Sequence, residues 1–153
     1  MCGIFGTVNY RISSKDFQLQ LDKIKHRGPD GFGVWENNDG SVKLGHRRLA
    51  IIDTDSRSNQ PMTFDNRYHI VFNGEIYNYI ELREELQKKG VQFVTASDTE
   101  VLLKLMILDG PAALSRLNGM WAFVIYDALE QSLFMSRDRL GKKPLYYIYK
   151  GEQ

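Results

Sequence analysis

A lone cysteine is the scarcest feature of this 153-residue chain. One thiol excludes an internal disulfide and cannot build a multi-thiolate zinc site. An excess of one charge is missing as well. The 20 basic and 19 acidic side chains leave a formal net charge of +1, so nothing marks the surface for nucleic acid or an anionic membrane. Long apolar runs are absent. The longest, Met120 to Tyr126, is strand-sized, far below the roughly 20 residues of a membrane-spanning helix. The N-terminus lacks the basic segment and apolar core of a signal peptide, and no N-x-S/T sequon occurs. The cytoplasm is the expected compartment.

What is present suits one soluble domain with its own core: 42% hydrophobic and 25% charged residues, with no repeat, low-complexity tract or linker to divide them. Gly3 to Asn9 reads as a short strand, and Asp16 to His26 carries Phe17, Leu21 and Ile24 at helical spacing. A turn follows at Arg27 to Gly31. Phe32–Glu36 and Ser41–Gly45 flank Asn37-Asn38-Asp39-Gly40, a strong hairpin signal. Arg48–Asp53 reads as a third strand and Tyr68–Phe72 as a fourth, stopped by Asn73-Gly74. Asn78 with Glu81, and Ser97 with Glu100, have capping-box spacing ahead of two helices that end at Gly90 and Gly110. Val91–Thr95, Met120–Tyr126, Ser132–Arg137 and Leu145–Tyr149 complete a strand-rich set, which predicts an α+β fold.

Cys2 becomes the first residue once the initiator Met1 is removed. Its thiol, with a reference pKa of about 8.5, then sits beside its own α-amine at about 7.7–8.0, a suitable base near neutrality. Such a pair needs no catalytic histidine. A small buried packing residue is the plainer reading of a cysteine. Its position, and the room that Gly3 and Gly6 leave for a close approach, argue instead for a nucleophile.

Cys2-Gly-Ile-Phe-Gly6, His26-Arg-Gly-Pro-Asp30, Gly45-His-Arg-Arg-Leu-Ala-Ile-Ile-Asp53, Asn73-Gly-Glu-Ile-Tyr-Asn78 and Ser97-Asp-Thr-Glu100 follow one another in that order. Arg116-Leu-Asn-Gly-Met120 and Arg137-Asp-Arg-Leu-Gly-Lys-Lys-Pro-Leu-Tyr-Tyr147 continue the series. Together they resemble the N-terminal glutaminase domain of glutamine-hydrolysing asparagine synthetases, a class II glutamine amidotransferase. The resemblance covers nearly the whole chain. It implies an N-terminal-nucleophile hydrolase, a four-layer αββα sandwich with antiparallel sheets, acting on L-glutamine.

The resemblance and the chemistry assign roles together. Cys2 attacks the side-chain amide carbon and its amine carries the proton to departing ammonia, leaving a thioester that water hydrolyses to glutamate. Asn73 and Gly74 supply an amide side chain and an adjacent backbone N–H for the oxyanion, although Asn-Gly by itself is an ordinary turn. Glu75 follows in the same loop, near the substrate's amino group. Arg48 offers a planar fork for the α-carboxylate, with Leu49, Ala50, Ile51 and Ile52 as pocket wall and Arg47 on the opposite strand face. Asp98 takes the substrate ammonium in the family pattern. From spacing alone it is equally a helix-dipole residue. His26, His46 and His69 are read as structural or surface groups, Arg27 and Asp30 as supports of their own turn. Gly28, Gly31 and Gly33 lack the order of a dinucleotide fingerprint.

No metal or cofactor is expected for these residues. The asparagine-forming half of such enzymes uses ATP and magnesium through a serine/glycine-rich pyrophosphate loop, and the sequence has neither that loop nor a Walker A motif. A synthetase domain, in cis or in trans, is therefore the expected partner, with homodimerisation also open. The family pattern runs on beyond Tyr147, so the domain at 1–153 is expected to lack its last strands. Two rival readings remain: a glutaminase serving another acceptor, such as a sugar or cell-wall precursor, and a truncated docking module without turnover.

Overall fold

The computed structural model describes residues 1–149 and 151. Its first sheet has β3 (Val42–Arg48) between β1 (Gly3–Val8) and β2 (Gly31–Glu36), all antiparallel. The Asn37–Gly40 turn sets the β2–β3 register through local bonds. Asn37 Oδ1 accepts from Val42 N–H, and Asp39 Oδ1 accepts from Ser41 N–H, which is how Asn and Asp mimic backbone in turns. Helix α1 (Ser14–Lys23) starts at Ser13, whose hydroxyl accepts from Asp16 N–H, and buries Phe17 and Leu21 one turn apart. That stripe lies on β1 and β3, so the central strand β3 is buried along its whole length.

The second sheet runs β4 (Met62–Phe64), β5 (Tyr68–Ile76), β6 (Gly119–Asp127), β7 (Ser132–Arg137). Helices α2 (Tyr79–Lys88) and α3 (Asp98–Asp109) cover its outer face. Alternation along β5 sorts the core. Ile70, Phe72 and Ile76 join Leu86, Leu102 and Leu105 under the helices, while Val71 faces the other way and meets Val42, Leu44 and Tyr126 between the sheets. The order is helix, sheet, sheet, helix, the four-layer α+β arrangement that the resemblance implies. Among the described residues no helix is long and apolar enough to cross a membrane.

Several local expectations are corrected. Arg48–Asp53 forms no strand. β3 ends at Arg48, where its partners begin at Gly3 and Gly31, and the chain leaves the sheet to a positive φ of 47° at Asp53. Asn73-Gly74 is no stop, since β5 continues to Ile76 against β6. Val91–Thr95 is irregular because the Val94 and Thr95 N–H groups donate to the Glu100 carboxylate instead of to a strand. Leu145–Tyr149 is not a strand either, and Tyr146 to Tyr149 are exposed. Asn78 precedes α2 without a capping bond, its side chain being spent on Arg116 O and Asn118 N–H. The room at Gly3 and Gly6 is taken by Ile24 and Leu44 side chains and leaves none for a ligand.

Candidate active site

Residue 2 is placed by β1. The pairing of Gly3 with Arg47 sets Cys2 beside Arg48 and Leu49 at the end of the first sheet. Leu49 N–H donates to Cys2 Sγ at 3.4 Å, and the thiol faces Leu49 O at 3.6 Å. Arg27 reaches from the turn after α1, its Nε donating to Cys2 O at 3.1 Å. Arg27 therefore braces the cysteine, and among the described residues its side chain makes no hydrogen bond within its own turn. Asp30 likewise reaches out, its carboxylate accepting from Ala50 N–H at 2.9 Å.

Cys2 opens onto a small, partly open cleft. From the first sheet and its exit loop come Arg48, Leu49, Ile51 and Ile52. From β5 of the second come Asn73, Gly74 and Glu75, and from the start of α3 comes Asp98. Residues remote in sequence thus meet around one cysteine. Ala50 is the exception among the sequence candidates: it does not line the cleft, and its contribution is the backbone bond to Asp30.

The strand geometry of β5 explains what Asn73 and Gly74 offer. In an antiparallel ladder the N–H groups of alternate residues point to opposite neighbours. Trp121, opposite Gly74, spends both its N–H and its C=O on Asp138, so Gly74 makes no ladder bond to β6. The even residues of β5 turn toward the cleft side. Phe72 N–H donates to Gln60 Oε1 at 2.6 Å and Ile76 N–H to Asp98 Oδ2 at 3.0 Å. Gly74 N–H stands between them with no partner among the described residues. Asn73 is nearly buried and its amide makes no hydrogen bond to them either. Two adjacent donors are therefore free at the cleft wall, the requirement of an oxyanion site. Gly74 is needed for space, since a Cβ there would collide with Met120 O, Phe72 Cε2 and Trp121 Cα.

Arg48 is buried and already at work. Its Nη1 donates to Asp55 O and Asn59 Oδ1, and Nη2 to Asp53 O, which moulds the 53–59 loop around it. A guanidinium has five N–H donors, so two remain for a ligand carboxylate. Arg47 points to the other face and pairs with Asp22 of α1, as alternation requires.

Asp98 follows the Ser97 cap at the start of α3 and is buried. Burial pushes its carboxyl up to about 6, with the negative charge of Glu75 adding to the rise and the Ile76 N–H opposing it. His46 is buried between the sheets, where its Nε2–H donates to Phe72 O at 3.2 Å. Burial, assisted by Arg48, holds it down to about 4, so the ring is neutral at pH 7. His69 stacks on Trp35. Neither lines the cleft.

Lys143 and Gln60 also line it and escaped the sequence reading. Gln60 ties the cleft floor together, accepting from Phe72 N–H and donating from Nε2 to Thr99 Oγ1 at 3.2 Å. A glutamine in a polar loop carries no pattern that signals this. Lys143 lies within the Arg137–Tyr147 motif, where spacing does not single it out.

A family model described as a glutamine amidotransferase domain matches residues 1–153. Glutamine-hydrolyzing asparagine synthetase 1 of Bacillus subtilis is 46% identical over 160 residues, covering 100% of this chain and 25% of that protein. Glutamine-hydrolyzing asparagine synthetase B of Escherichia coli is 38% identical over 154 residues, covering 97% and 27%. The chain thus spans about a quarter to a third of the length of the curated relatives it matches. Among solved structures, the glutamine phosphoribosylpyrophosphate amidotransferase of B. subtilis superposes with a TM-score of 0.77 at 25% identity, over 90% of this chain and 37% of that one.

Proposed function

The chain belongs to the glutamine amidotransferase domain family, and from that premise we propose that it hydrolyses L-glutamine to glutamate and ammonia at Cys2. The observation that carries this reading is the convergence of Cys2 with the free donors of Asn73 and Gly74 in one cleft, opposite Arg48 and Asp98. Removal of Met1 frees the Cys2 amine. Sγ then attacks the side-chain amide carbon while Gly74 N–H and the Asn73 amide hold the developing oxyanion. The C–N bond breaks, and the Cys2 amine delivers the thiol's proton to the leaving ammonia. Water, deprotonated by the same amine, cleaves the thioester to give glutamate and regenerate the thiol. The two unspent donors of Arg48 take the α-carboxylate, and Asp98 with Glu75 takes the α-ammonium, which fixes the amide over the nucleophile.

The ammonia passes to a synthetase domain, in cis or in trans, that forms asparagine from aspartate, and ATP with magnesium acts there. The relatives' names support that acceptor. Amidation of another acceptor is the second reading, favoured by the close fold match to a phosphoribosylpyrophosphate amidotransferase. The cleft itself contacts only glutamine in either case.

The test is reaction with a glutamine-like diazoketone electrophile, read by peptide mass. A single adduct on residue 2 of Met1-processed protein is expected, together with ammonia release that Cys2→Ala abolishes. Failure of processed protein to form the adduct, with no ammonia released, overturns the reading in favour of a docking module without turnover.

A further inference from the structure

Lys143 is a buried cation without a counter-ion. Only 3% of it is exposed, it lines the cleft beside Cys2, Asn73, Gly74 and Glu75, and among the described residues no carboxylate lies within ion-pair distance. Its Nζ instead meets Met1 Sδ at 2.6 Å. A thioether is a poor acceptor, and it belongs to the residue whose loss creates the N-terminal amine. The backbone under Lys143 is anchored, because Asp138 accepts from the Lys142 and Lys143 N–H groups at 2.9 Å. The ammonium thus rests against the Met1 side chain, in the cleft that Cys2 also lines.

We propose that Lys143 is a positioning residue of this site: its unpaired ammonium, held beside residue 2, lowers the pH at which processed Cys2 loses its first proton and becomes a nucleophile. The inference rests on reading Cys2 as an N-terminal nucleophile. That residue starts with two protons at stake, one on the thiol and one on the α-ammonium. A neighbouring cation repels the α-ammonium and attracts the thiolate. Whichever proton leaves first, the cation favours its departure, so the pair's first macroscopic step moves to lower pH.

The groups facing Lys143 come from every side of it. Arg27, from the turn after α1, is a second cation. Glu75 on β5 and Asp138 after β7 are negative, and Cys2 lies at the start of β1. Burial first, then Arg27, pulls the Lys143 ammonium below its ordinary value, while Cys2, Glu75 and Asp138 hold it up.

The experiment is the pH dependence of iodoacetamide alkylation at Cys2 in Met1-processed protein, with glutamine turnover measured in parallel. Lys143→Gln and the apolar isostere Lys143→Met should both raise the alkylation midpoint by about 1–2 pH units, the scale of one charge at close range. Lys143→Arg should keep the wild-type midpoint, and the acidic limb of kcat/KM for glutamine should follow the same pattern. Using Gln and Met side by side separates charge from packing, since a merely structural role leaves the midpoint of a folded variant in place. A wild-type midpoint in either folded neutral variant overturns the proposal. Normal alkylation shifts in a protein that releases no ammonia from glutamine would instead overturn the proposed function, so the two failures are distinguishable.

Discussion

Asp98 shows what burying a carboxyl costs the fold. Its folded carboxyl titrates near 6 against an ordinary 3.8, so the folded state binds this proton more tightly than the unfolded chain does. Stability from this group is therefore greatest below pH 3.8 and falls as pH rises toward 6. Above that it is lower by up to about 3 kcal/mol, taking 1.36 kcal/mol per unit. Asp98→Asn removes the ionisation and still offers an oxygen to Ile76 N–H. Urea unfolding should find the variant more stable than wild type at pH 7.5, with most of the difference lost by pH 4. The same variant should raise KM for glutamine at least tenfold, because the substrate ammonium loses its counter-charge. Equal stability at both pH values would remove Asp98 from the list of strained ligands. Nothing in Ser97-Asp98-Thr99-Glu100 announces this burden. The pattern is that of an ordinary helix start, and only the packing of Glu75 and Ile76 against it separates the two roles.

Among the elements, β5 is where local sequence and tertiary structure disagree most usefully. Asn-Gly between apolar runs is the standard hairpin signal, yet here Phe72, Asn73 and Gly74 run straight through in register with Phe123, Ala122 and Trp121. The reason lies on the partner strand. Asp138 takes both backbone polar groups of Trp121, so β6 lies against β5 at Gly74 without bonding to it. Gly74→Ala should therefore be costly through collision, not through backbone dihedrals. Overpacking of this kind is worth about 1–3 kcal/mol, and shifting the backbone misaims the oxyanion donors. We expect a lower urea midpoint and a loss of kcat of about 10²-fold or more, with KM nearly unchanged. An intact kcat in the folded variant would show that Gly74 N–H does not serve the reaction. Elements whose signals are internal, such as α1 with Phe17 and Leu21 at helical spacing and the Asn37–Gly40 hairpin, were legible from sequence. Those that depend on a remote partner were not: Val91–Thr95 gives its N–H groups to Glu100, and the chain after Arg48 yields strand pairing to the contacts of Cys2 and Asp30.

At the scale of the whole molecule, the cleft is a seam between two sheets that share little chain. Composition and periodicity led to a strand-rich α+β domain, but the layer order is a property of long-range pairing and came only with the resemblance. The seam is laced by side chains that span it. Gln60 bridges to Phe72 and Thr99, His46 donates to Phe72 O, and Asp53 accepts from Ala96 N–H at 2.6 Å. A glutamine held by Arg48 at one end and Asp98 at the other would add a further lace between first sheet and second. Ligand that binds only the folded state stabilises it by RT ln(1 + [L]/Kd), about 2.7 kcal/mol at a hundredfold excess over Kd. For a domain of this size that is a rise of roughly 5–10 °C in Tm. Cys2→Ala, which binds without turnover, should show this rise with L-glutamine and a much smaller one with glutaramate, which keeps the carboxylate and amide but has no α-amino group to meet Asp98. Adding Arg48→Lys to Cys2→Ala should shrink the response further, since an ammonium cannot both hold the 53–59 loop and present a fork to the substrate. Equal shifts with L-glutamine and glutaramate would mean that the α-ammonium is not held at Asp98, and the clamp across the two sheets would have to be abandoned.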